Sequence, residues 1–110
     1  MANKVQFFQG EKINITINGS NVYVLENIDF GCTIYPIEDI SKKIRVEKAN
    51  MTHTGPNQYI ASFDPIYTKT LPIGIYGVEV YDNTYKIINP QPYTFNLSVA
   101  ASTEYITTNP

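Results

Sequence analysis

At 110 residues the chain is long enough for one domain with a self-sufficient core and too short for two. Its 43% apolar and 16% charged content, rich in Ile, Tyr, Thr and Asn, argues against disorder and for a β-rich fold with a polar surface. The net charge of −2, from 8 basic and 10 acidic side chains, offers no broad basic field and predicts no nucleic-acid partner.

Taken in order, "KVQFF" (4–8) predicts a first strand that bends at Gly10. "KINITI" then alternates, with Ile13, Ile15 and Ile17 on one face and Lys12, Asn14 and Thr16 on the other. "NVYVLE" (21–26) is short and ambiguous. "FGCTIYPI" (30–37) reads as a strand ended by Pro36, which cannot donate to a ladder. A short turn at 37–42 leads into "KIRVEKA" (43–49), a strand of alternating charged and apolar residues. Lys42, Lys43 and Arg45, followed by Glu47, form the one basic cluster, best explained as charges that discourage edge pairing. After the turn-like "THTGPN", "QYIASF" (58–63) is a strand.

"GIYGVEVYD" (74–82) and "TYKII" (84–88) suggest a tight hairpin around Asp82-Asn83, and the prolines of "NPQP" (89–92) suit a crossing between sheets. "YTFNLSV" closes the pattern with Tyr93, Phe95, Leu97 and Val99 on one face. About eight short strands punctuated by Gly, Pro and Asn predict an all-β fold, a single antiparallel β-sandwich of immunoglobulin-like type over residues 1–100. Residues 101–110 lose periodicity and read as a C-terminal extension or arm.

Catalytic chemistry has little to stand on. Cys32 is the sole cysteine, so no intrachain disulfide forms, and alternation places it on a core face. His53 is the sole histidine, and nothing ties it to Cys32. Glu38-Asp39 are loop neighbours that face solvent, and Asp64 before Pro65 reads as a capping acceptor. No phosphate loop, metal-ligand spacing or nucleophile motif is present, so no enzyme, cofactor or metal is expected. The opening residues lack a basic stretch followed by an apolar run, and no window reaches the length of a membrane span. No export signal and no membrane partner are therefore expected. The N-x-[ST] triplets at Asn14, Asn18, Asn50 and Asn96 read as coincidence in an Asn- and Thr-rich chain. Sugar binding is the rival class: Tyr23, Tyr35, Tyr67, Tyr85 and Tyr105 are candidates for an exposed platform, against the plainer account of Tyr as a strand residue.

Two segments carry a resemblance. Pro72, Gly74 and Tyr76 ahead of Val78 and Val80 resemble the late strand of bacterial and phage immunoglobulin-like domains. "VQFFQGEKINITI", with Phe8, Gly10, Glu11 and Ile13 to Ile17, is similar to the start of the N-terminal domain of phage baseplate upper proteins and of short head-fibre or decoration proteins. The resemblance implies a non-catalytic virion component, made in the host bacterial cytoplasm, that docks as a homo-oligomer on capsid or baseplate proteins. It transfers no functional residues. Glu79 and Tyr81, facing outward, and Tyr105 and Ile106 in the tail are the candidate interaction residues, with unpaired strand edges open to augmentation. A carbohydrate-binding module and a baseplate or tail adaptor are the alternatives.

Overall fold

The computed structural model describes residues 4–82 and 93–99. Among the described residues there are eight strands: β1 (Gln6–Phe8), β2 (Ile13–Asn18), β3 (Phe30–Pro36), β4 (Ile44–Glu47), β5 (Thr52–Gly55), β6 (Gln58–Phe63), β7 (Gly74–Asp82) and β8 (Tyr93–Ser98). They form a five-stranded sheet in the order β1-β8-β7-β3-β4 and a three-stranded sheet in the order β2-β6-β5. The alternating isoleucines of β2 set its register: Ile13, Ile15 and Ile17 oppose Phe63, Ala61 and Tyr59 of β6 on the buried face. The facing sheet contributes Phe7, Phe30, Cys32, Ile34, Tyr76, Val78, Val80, Phe95 and Leu97. The chain is thus an immunoglobulin-like β-sandwich closed over one apolar core.

The two quoted segments are fold devices. Gly10 takes φ +84° in the turn between β1 and β2, a conformation that disfavours other residues. The Glu11 carboxylate accepts from the Phe8 N–H (3.0 Å) and pairs with Lys4 (2.5 Å). Burial alone would raise its pKa, but Lys4 and that N–H together hold it below the usual carboxylate value. Further along, Gly74 opens β7 at φ +138°. The Tyr76 hydroxyl then reaches back and donates to the Pro72 carbonyl at 2.6 Å. This is the tyrosine corner of immunoglobulin-like sandwiches, built on the Pro-x-Gly-x-Tyr spacing. Cys32 is fully buried, and desolvation pushes its thiol up to about 12, so it acts as a small hydrophobe.

Several expectations are corrected. The sandwich is not purely antiparallel, because β1 runs parallel to β8, with Phe7 opposite Leu97. "NVYVLE" makes no strand: Val22 is exposed, and Leu25–Asn27 is a 3₁₀ turn that buries Leu25. His53 lies on β5, which reads as a turn in the sequence. A single-turn helix, α1 (Pro65–Thr68), fills the corner before β7; Asp64 is its N-cap position but caps with no side-chain bond. The 43–49 strand shortens to β4, then becomes a 3₁₀ turn at Lys48–Asn50. β8 pairs directly with β7. The 84–88 strand, the Asp82-Asn83 hairpin, "NPQP" and the 101–110 arm lie outside the described residues, wholly or from residue 83 onward.

Among the described residues, three of the four edge strands are guarded, and the fourth, β2, spans 6 residues. β1 spans 3 residues, β4 spans 4 and carries the Arg45–Glu47 pair, and β5 spans 4 with a register shift between His53 and Gly55. Short, charged and bulged edges discourage strand addition.

Candidate functional site

Because side chains alternate, the odd-numbered residues of β3, β4 and β7 share the outer face of the larger sheet. Its register sets them in rungs. Glu47 opposes Gly31, which opposes Tyr81; Arg45 opposes Thr33, which opposes Glu79; Tyr35 opposes Gly77. At the end of β3, the Ile37 N–H donates to the Ile75 carbonyl at 3.0 Å, which puts these two half-exposed residues side by side. The face therefore grades from apolar through aromatic to charged.

Two glycines shape it. A Cβ on Gly77 would collide with the Tyr35 ring, and one on Gly31 would collide with the Arg45 guanidinium. Both long side chains thus lie flat across a glycine of the neighbouring strand, a cross-strand cover that a larger residue would lift away. The 3₁₀ turn at Ile40–Lys42 adds a rim, held by Asp39, whose carboxylate accepts from the Ser41 N–H (3.1 Å) and hydroxyl (2.5 Å). Ile40 and outward side chains from β3, β4 and β7 line an open cleft of about 1000 Å³, completed by Lys43 and Asp82.

Inside the cleft, the charges come in pairs. Arg45 Nε donates to Glu47 at 2.6 Å, while its Nη2 reaches the Tyr81 carbonyl at 3.3 Å. The Tyr81 hydroxyl donates to Glu79 at 2.5 Å, and that bond pushes its pKa up to about 12. Burial, then the nearby Glu79 charge, raises Tyr35 as well. Burial pushes Tyr76 and Tyr93 up to about 12. A tyrosine raised above its unfolded value of about 10 contributes stability that is intact below that pH and lost as pH rises toward the folded value. We expect alkaline unfolding between about pH 10 and 12, with the tyrosinate absorbance of these rings emerging together with loss of fold. Tyrosinate that appears fully below pH 10 while the fold persists would contradict this.

Of the candidate interaction residues, Glu79 and Tyr81 do face outward and are joined to each other; Tyr105 and Ile106 lie outside the described residues. The tyrosines offered as a sugar platform do not form one row. Tyr23 is in the loop before Leu25, Tyr67 is on α1, and only Tyr35 lies on the cleft; Tyr85 and Tyr105 are outside the described residues. Sequence reasoning missed Arg45 as a partner of Tyr81, since only the register between β3, β4 and β7 brings them together. His53 pairs with Glu26 at 2.8 Å and stacks on Tyr59, with ring centroids 4.5 Å apart, while Cys32 lies in the core. Among the described residues, no group of three or more His, Cys, Asp or Glu is placed to hold a metal, and no helix is long and apolar enough to cross a membrane.

No family model and no curated protein matches the chain. Among solved structures, it is similar to the crystal structure of a provisionally named glycoside hydrolase from Bacteroides vulgatus, at a TM-score of 0.55 and 14% identity. The match covers 89% of this chain and 17% of that one. A likeness at this identity establishes the sandwich fold alone.

A second surface lies beside the cleft. The segment from α1 into β7 exposes Ile66, Tyr67, Ile73 and Ile75, and Ile37 and Ile40 follow the end of β3; each is at least 50% exposed. Ile37 and Ile75 are neighbours across β3 and β7, and the other four lie on the segments that flank them in the chain.

Proposed function

We propose that this chain is a non-catalytic structural subunit that docks on protein partners, itself among them, through the apolar end formed by Ile37, Ile66, Ile73 and Ile75. The observation that carries the reading is the set of exposed isoleucines on the segments that end β3 and lead into β7, in a sandwich with three of its four described edge strands short and guarded. Docking by this end is proposed ahead of the strand sharing expected from the sequence. The setting is a bacteriophage virion, as a head-fibre or decoration subunit. What supports that setting is the resemblance of "VQFFQGEKINITI" and "LPIGIYGVEV" to phage virion domains. Those residues build turns and the tyrosine corner, so they speak for a shared fold and leave the partner to the surface.

A sedimentation series from micromolar to millimolar tests it. The wild-type chain is expected to associate, and Ile73→Lys with Ile75→Lys to keep it monomeric. Both side chains are exposed, so the unfolding midpoint of the double variant should stay within the small range of surface substitutions. A wild-type monomer throughout, or association unchanged in the double variant, would overturn the reading.

A further inference from the structure

We propose that the cleft between β3, β4 and β7 is a saccharide site that takes a neutral pyranose. The inference is independent of docking at the apolar end and stands on the pairing of groups within the cleft. A sugar ring presents an apolar C–H face and an edge of hydroxyls that each donate and accept. The cleft supplies the complement of both. The partly buried Tyr35 ring lies across Gly77 and is a stacking floor of the kind that meets apolar ring faces.

Around that floor, donors and acceptors stand in adjacent couples: Arg45 with Glu47 at 2.6 Å and Tyr81 with Glu79 at 2.5 Å. Two neighbouring hydroxyls can bridge such a couple, accepting from the donor and donating to the carboxylate. A phosphate or nucleic acid would need donors alone and would meet Glu47, Glu79 and Asp82. A cationic ligand would need acceptors alone and would meet Lys43 and Arg45. Two cations against three carboxylates leave the lining near neutral, which selects an uncharged polyol. The cleft, at about 1000 Å³ and open to solvent, admits one to several sugar rings.

The test is an amide-resolved NMR titration of the full chain with glucose, galactose, mannose, rhamnose, N-acetylglucosamine and N-acetylgalactosamine, each to about 50 mM, since single sugars bind in the millimolar range. Glucuronic acid and glucosamine serve as charged comparators. At least one neutral sugar should shift the amides of Gly31, Thr33, Tyr35, Gly77 and Tyr81. Glu79→Gln, which keeps the shape and removes the charged acceptor, should weaken that sugar at least about tenfold, and Tyr35→Ala should abolish its effect. The Ile73→Lys, Ile75→Lys variant should bind as the wild type does. The proposal is overturned if no neutral sugar shifts these amides, if a charged comparator binds more tightly, or if Glu79→Gln binds unchanged while its remaining spectrum matches the wild type.

Discussion

Tyr76→Ala is expected to lower the unfolding free energy by about 3–5 kcal/mol, and Tyr76→Phe by about 1–3 kcal/mol. The first figure reflects what the ring touches. Tyr76 is fully buried and stacks on Phe95 at 5.2 Å with the planes 9° apart, and Phe95 in turn meets Phe7 edge-on at 5.1 Å. Truncation opens a cavity between β1, β7 and β8 that rigid neighbours cannot refill. The second figure isolates the corner: without the hydroxyl, the Pro72 carbonyl loses its donor and the turn into β7 loses its tie. Against a typical stability of about 5–15 kcal/mol, the alanine variant is left marginal. Equilibrium denaturation in urea measures both. A phenylalanine variant as stable as the wild type would remove the corner from the account.

Asn57→Ala should follow at about 2–4 kcal/mol, for two separable reasons. Asn57 sits at φ +57° in the turn between β5 and β6, where a side chain other than Asn or Gly is strained. Its Oδ1 accepts from the Leu25 N–H at 2.7 Å, and its Nδ2 donates to the Ser20 carbonyl at 3.3 Å. Leu25 is fully buried, so its amide has no solvent to fall back on. Glu26 secures the same junction from the other side, accepting from the Asn57 N–H at 2.5 Å and facing His53. Those contacts, the Asn57 N–H first, hold its carboxyl below the ordinary value. Asn57→Gly relieves the backbone strain and keeps the loss of both side-chain bonds, so it should fall between the wild type and the alanine variant. Equal losses for Gly and Ala would show that the left-handed backbone contributes nothing.

Much of the fold was legible because β2, β6 and β8 alternate between buried and more exposed residues, and because β3 and β7 place Phe30, Cys32 and Ile34, and Tyr76, Val78 and Val80, at every second position. β5 escaped notice because Thr52, His53 and Thr54 are all polar and exposed, so no face is distinguished. α1 holds 4 residues, too few for a helical period, and the parallel pairing of β1 holds 3. "NVYVLE" stayed ambiguous for the opposite reason: its valines are apolar but unburied, which composition cannot reveal. At the candidate site, alternation was enough to turn Glu79 and Tyr81 outward. It could not place Arg45 over Gly31 or Tyr35 over Gly77, because those contacts depend on which strands become neighbours. The isoleucine end was equally hidden, its members coming from three separated stretches of chain.

Hydrogen–deuterium exchange, followed at low and at high protein concentration, tests the docking surface most directly. The account predicts that assembly protects residues 37–40 and 65–75 while the amides of Ile13–Asn18, Ile44–Glu47 and Thr52–Gly55 exchange at an unchanged rate. Protection concentrated on any of those edge strands would mean that subunits join by strand addition, and an absence of any concentration-dependent protection would mean that the isoleucine end joins no second copy; either result contradicts the account.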